Sequence, residues 1–149
     1  MRRKVKPFLR HEFTKVPLVD CAFHIFVTTH LERTLNSTDF KAIFPCNDYT
    51  VDYGYYGITM HDYRLGRIGI VLTPEGLNHN VIGHEIHHAT MRVGQHIGCT
   101  NDKSAEEFFA QLAGWLNDYV YTQLRRWKLV VGSYPSPAII KRLPAAPNR

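Results

Sequence analysis

His84, Glu85 and His88 stand in an H-E-x-x-H pattern, His84-Glu85-Ile86-His87-His88, whose residue types and spacing could bind a metal and hydrolyse an amide. On a helix, residues four apart lie one turn above each other on the same face, so both imidazoles can reach one zinc ion. Glu85 then lies beside that ion without taking a coordination position. Its carboxylate can remove a proton from a zinc-bound water, which makes that water a nucleophile for a peptide carbonyl.

The elements around the motif suit this chemistry. Residues 67–72 (R-I-G-I-V-L) read as a strand, and Thr73-Pro74-Glu75 as a helix start, with Thr73 as N-cap and Pro74 at the first helical position. The motif is thus expected about three turns inside a helix that ends near Gly94. On a helical wheel Leu77, Val81 and Met91 share a side with His84 and His88, while Ile82, Ile86, Ala89 and Val93 line the opposite side. Apolar residues on both sides predict a buried helix. Two histidines and a glutamate there are costly to desolvate unless metal-bound or fully hydrogen-bonded. Core histidines bonded to backbone carbonyls would satisfy the same spacing without metal. His87 falls in a polar band with Gly83 and Thr90 and is expected to face solvent.

A catalytic zinc commonly takes three protein ligands and leaves one position for water. The metzincin pattern is excluded, because it would place glycine at 91 and histidine at 94, where this chain has Met91 and Gly94. His96, just past the helix end, is one candidate third ligand. The acidic pair Glu106-Glu107 is the other. The pair opens a second long helix, expected over residues 102–127 with Asp102 or Ser104 as N-cap. Phe108, Leu112, Trp115 and Tyr119 form its main apolar stripe, and Phe109, Leu116 and Val120 widen it. Acidic residues in a first turn also have a plain electrostatic explanation in the helix dipole, and wheel geometry does not choose between Glu106 and Glu107. Ala110, Ala113 and Gly114 suggest close packing against another helix.

His84-Glu85-Ile86-His87-His88, followed after 18 residues by Glu107-Phe108-Phe109-Ala110-Gln111, resembles the gluzincin pattern, in particular the small stand-alone minigluzincins and short metallopeptidases of bacteria and their phages. The resemblance covers roughly residues 67–120. It implies a zincin-like α+β fold and zinc held by His84, His88 and Glu107, since Ala110 and Gln111 then fall in register. Gln111 departs from the acidic residue usual there, which orients a histidine ligand; an amide gives the imidazole less basicity.

With 149 residues, 44% of them hydrophobic, the chain is long enough for one domain with a core and too short for two. Residues 1–131 read as that domain. Residues 132–149 carry four of the eight prolines and several basic residues, and are expected to be extended or disordered. Residues 21–29 and 53–61 read as further strands, 37–44 as a short helix capped by Ser37 or Thr38, and 62–66 as a hairpin turn. About three mostly antiparallel strands followed by two long helices give an α+β layout. By the zincin resemblance one strand would be an edge that holds a peptide by strand addition. Cys21, Cys46 and Cys99 have no C-x-x-C spacing, the basic start lacks a signal peptide's apolar run, and no stretch approaches the ~18 apolar residues of a membrane span. A reduced cytoplasmic protein is the simplest fit, in host cytoplasm if phage-encoded.

The expected function is therefore zinc-dependent peptide hydrolysis, with Glu85 as general base and a peptide or protein as substrate. Tyr119, Tyr121, His61 and Arg64 are candidates to stabilise the oxyanion. His11, His24, His30 and His79 have no ligand spacing. Two other functions fit the same residues: a silent zincin-like binding module, and a zinc protease recruited to nucleic acid by its basic ends, to which Arg2, Arg3, Lys4, Lys141, Arg142 and Arg149 contribute part of the +5 net charge.

Overall fold

In the computed structural model, which describes residues 9–45, 56–99 and 102–132, two runs of aromatic and β-branched residues form the middle of a four-stranded sheet. They are β2 (Ala22–Thr28) and β4 (Arg67–Leu72), paired in parallel with Phe23 opposite Ile68 and Ile25 opposite Ile70. Both are buried on both faces, as near-continuous apolar runs require. β1 (Leu9–Lys15) and β3 (Gly57–Asp62) pair antiparallel outside them, giving the order β1-β2-β4-β3. The α+β class expected from sequence holds. The sheet, however, has four strands instead of about three; two of its pairings are antiparallel, as expected, and the central one is parallel, so it is mixed. β1 went unread because its charged and polar residues (L-R-H-E-F-T-K) leave nearly every side chain exposed, as an edge strand permits.

The turn expected at 62–66 closes the β3–β4 hairpin. Asp62 Oδ1 accepts from the Arg64 and Leu65 amides at 3.1 and 3.2 Å, and Gly66 takes the positive φ of +59° that the turn needs. On one sheet face lie α1 (Leu31–Leu35), which the sequence reading did not anticipate, and α2 (Thr38–Ile43), which matches the expected short helix. Ser37 caps α2 by accepting from the Phe40 amide. Phe40 and Phe44 pack there with Phe26, Met60 and Val71.

The other face carries α3 (His79–His96) and α4 (Glu106–Arg126). Thr73 and Pro74 start only a short 3₁₀ turn; Asn78 is the true cap of α3, its side chain accepting from the Val81 amide at 3.0 Å. The H-E-x-x-H motif therefore begins in the second turn of its helix, not three turns in. α3 also buries one stripe and not two. Ile82, Ile86, Ala89 and Val93 pack onto Ile68, Ile70 and Leu72 in a core that Leu112, Leu116, Val120 and Leu124 of α4 complete, whereas Val81 and Met91 are only half-buried. α4 starts later than expected, and its N-cap position is Ala105, with no side-chain cap. Asp102 and Ser104 instead bond to each other in the preceding turn.

The two long helices run antiparallel. Phe109, near the start of α4, lies so close to Gly94, near the end of α3, that a Cβ there would fall 2.5 Å from its ring. At the opposite ends His79 Nδ1 and the Tyr121 hydroxyl share a 2.6 Å hydrogen bond. Gly132 returns to the start of α3, its amide donating to Leu77 O at 2.8 Å. Residues 133–149 of the expected tail, the basic N-terminal residues, Cys46 and residues 53–55 of the expected strand lie outside the described residues. Cys21 is buried and Cys99 half-buried, and neither forms a disulfide among the described residues. Among the described residues no helix is long and apolar enough to cross a membrane.

One core feature predicts how stability responds to pH. His24 is only 5% exposed, shares a 3.0 Å hydrogen bond with His11 through Nδ1, and has no partner for Nε2 among the described residues. Burial, with smaller contributions from His11 and Arg67, pushes its pKa down to about 4. The folded state thus favours the neutral ring. Its contribution to stability is complete above the unfolded pKa near 6.5 and is lost as pH falls from there through about 4, on the order of 2–3 kcal/mol. Urea unfolding between pH 7 and 4 should show a shallower decline for His24→Phe than for wild type; parallel curves would refute this.

Candidate metal and catalytic cleft

β3, an edge strand, and α3 lie alongside each other, and between them is an open cleft of about 240 Å³ lined by Gly57, Ile58, Thr59, His84, Glu85, His88 and Arg92. That is smaller than the roughly 300–1,000 Å³ of pockets that engulf a small molecule, so a ligand would lie across it. Residues of β3 alternate. Met60 joins the core on the far face of the sheet, while Gly57 and Thr59 point to α3. Gly57 lets the helix come close, since a Cβ there would sit 2.9 Å from Glu85 Cγ and 3.0 Å from Val81 Cγ1.

The one-turn spacing of His84 and His88 brings their Nε2 atoms to 3.0 Å, with the rings edge to face. Two Zn–N bonds of 2.0–2.1 Å at a near-tetrahedral angle place the nitrogens about 3.3 Å apart. The pair is therefore within a few tenths of an ångström of a chelating geometry, and as nitrogen donors the two rings fit a borderline-soft divalent ion. Both side chains are exposed, not buried as the two-sided apolar wheel had led us to expect. Burial, then the charges of His84, His87 and Arg92, lower the His88 pKa, which favours the neutral ring that a metal requires. His87 faces solvent as expected.

Glu85 is different: it is 6% exposed and points toward β3, where Thr59 Oγ1 donates to Oε2 at 2.6 Å. The same hydroxyl lies 3.1 Å from the Glu85 carbonyl oxygen. Burial raises the Glu85 pKa, against the opposing pull of the Thr59 hydrogen bond and the charge of His84. A carboxylate so placed is held in one orientation and shifted toward the range where a group can both take and return a proton near neutral pH.

The remaining expected site residues are not brought to this cleft. Glu107 is exposed on α4, where its Oε1 accepts from Gln111 Nε2 at 2.8 Å, and no α4 residue lines the cleft. Gln111 thus holds a glutamate and not a histidine. Glu106 borders a separate surface depression with Asp102 and Phe109. Nε2 of His96 lies 3.0 Å from the Asp20 carbonyl oxygen. Among the described residues no group of three or more His, Cys, Asp or Glu side chains is arranged to hold a metal. Of the oxyanion candidates, Tyr119 is turned into the core, edge-on to Phe23 and stacked on Trp115, its pKa pushed up to about 12 by burial and then by the charge of Glu12. Tyr121 is engaged by His79, and Arg64 sits exposed in the hairpin turn beside Asp62. His61 alone lies on the strand that borders the cleft, half-buried, its pKa lowered by burial and then by the charge of Arg92.

Thr59 and Arg92 are cleft residues that the sequence reading missed, although the position of Arg92 four residues after His88 continues the row His84, His88. Comparison with family models, curated proteins and solved structures yields no match to this chain.

Proposed function

We propose that this protein is a zinc-dependent metallopeptidase of the gluzincin type. The observation that carries the proposal is the pairing of His84 and His88 Nε2 at 3.0 Å with the oriented carboxylate of Glu85 in one cleft beside an edge strand. His84 and His88 would hold the metal. Zinc bound there supplies Lewis acidity, which activates water and polarises the substrate carbonyl. Glu85, fixed by Thr59, accepts the proton of the attacking water and returns it to the leaving amine. No described strand pairs with the outer edge of β3, so its backbone offers an extended peptide the hydrogen bonds of an added strand. Glu107 enters as third ligand on its register in the sequence pattern alone.

A second reading, a binding module that uses the same cleft without turnover, is favoured by one observation: the absence, among the described residues, of a third donor beside the two imidazoles. Incubating the zinc-loaded chain with a degenerate peptide library separates the two. The peptidase reading expects new termini that vanish on chelation and return with zinc. Retention of peptides with no cleavage at any zinc level would favour the binding module.

A further inference from the structure

The cleft holds a fixed positive charge that the water-activating chemistry does not use. Arg92 lies one turn beyond His88 on the same face of α3 and lines the same cleft. Its guanidinium is positioned from one side: Nη1 donates to Gln95 Oε1 at 2.9 Å, and that oxygen also accepts from the Tyr63 hydroxyl at 2.6 Å. Tyr63 is held in turn by stacking on His61, with ring centroids 4.3 Å apart. No described carboxylate forms an ion pair with Arg92. The cleft's single carboxylate, Glu85, is turned away to Thr59 on β3. A tethered guanidinium with donors to spare, at the end of a cleft beside a strand edge that no described strand pairs with, matches the planar geometry of a carboxylate.

We infer that Arg92 is a specificity-determining residue that binds a carboxylate of the substrate, on the side of the scissile bond that lies toward the His61 end of β3. This rests on the peptidase reading and adds a substrate class to it: peptides carrying an anionic group within reach of the cleaved bond. The carboxylate can be an Asp or Glu side chain or the C-terminal α-carboxylate. The source fixes the polarity of binding, because β3 runs from Gly57 beside Glu85 toward His61. A C-terminal carboxylate at Arg92 requires a peptide parallel to β3, whereas an acidic side chain is also compatible with an antiparallel one.

The experiment uses the full chain and one degenerate heptapeptide library prepared with free and with amidated C-termini. Cleavage is followed with zinc-loaded wild type, Arg92→Gln and Arg92→Lys. Retention is followed with Glu85→Gln and with Glu85→Gln/Arg92→Gln, and circular dichroism confirms that each variant is folded. The expected result is a preference of at least about tenfold for carboxylate-bearing peptides in both assays, lost in Arg92→Gln and partly restored in Arg92→Lys. Preference for free over amidated peptides identifies the terminal carboxylate; preference for Asp or Glu within the amidated set identifies the side chain. Zinc-dependent cleavage with no carboxylate preference, or with one unchanged in Arg92→Gln, overturns the role of Arg92 and leaves the peptidase reading standing. Carboxylate-selective retention through Arg92 without any cleavage overturns the peptidase reading and keeps Arg92 as the anchor of a binding cleft. Neither cleavage nor retention of any peptide overturns both.

Discussion

Glu85→Gln should lower zinc-dependent peptide cleavage by about 10²–10⁴-fold while the chain stays folded and keeps its metal. The amide has the shape of the carboxylate, and its oxygen can still accept the 2.6 Å hydrogen bond from Thr59. What it lacks is the ability to take a proton. Burial already works against the charge of Glu85, so a neutral side chain at this position adds no desolvation cost. Single-turnover rates on a cleaved library peptide, with elemental analysis of zinc in the same samples, check both halves. Cleavage within about threefold of wild type at equal zinc content would remove Glu85 from the proton-transfer role.

The other large effect is structural. Phe23→Ala should cost about 3–5 kcal/mol of folding stability, read from urea unfolding at neutral pH. Phe23 is fully buried at the centre of the sheet, opposite Ile68 on β4 and edge-on to Tyr119 of α4 with ring centroids 6.0 Å apart. Removing the ring leaves a cavity where the sheet, α4 and the helix that bears the motif share one core. Leu9→Ala, on an exposed edge position 46% open to solvent, should change stability by no more than about 0.5 kcal/mol. Similar losses for the two variants would mean that this core does not hold the fold together.

Which features could be read in advance follows from whether their cause is local. The spacing of His84 and His88 is a property of one helix, so the sequence alone foretold that their rings would meet. The short helix capped by Ser37 and the turn at 62–66 are likewise set by residues within a few positions of one another. The parallel pairing of β2 with β4 depends on segments about forty residues apart, and only the finished sheet reveals it. Which side of α3 meets the sheet also lies beyond a wheel with two apolar stripes. Ile82, Ile86, Ala89 and Val93 won that competition, and His84 and His88 were left on the open side beside β3. Thr59 carried no signal as the partner of Glu85, because a threonine in a strand is ordinary and the contact spans 26 residues. Arg92 did carry one, in the four-residue continuation of the histidine row. For Glu107 the motif register and the described position on α4 diverge, because α3 continues two turns past His88 and α4 begins only at Glu106.

The most direct measurement is the zinc content of tag-free, chelator-free protein by elemental mass spectrometry, with His84→Ala, His88→Ala and Glu107→Ala in parallel. About one zinc per chain in the wild type, lost in both histidine variants, is the predicted result. Loss in Glu107→Ala as well would assign the third ligand to Glu107, and retention there would assign the site to the two histidines without it. Native wild-type protein that takes up no zinc under zinc-replete conditions, or zinc content indifferent to both His84 and His88, would contradict the metallopeptidase reading.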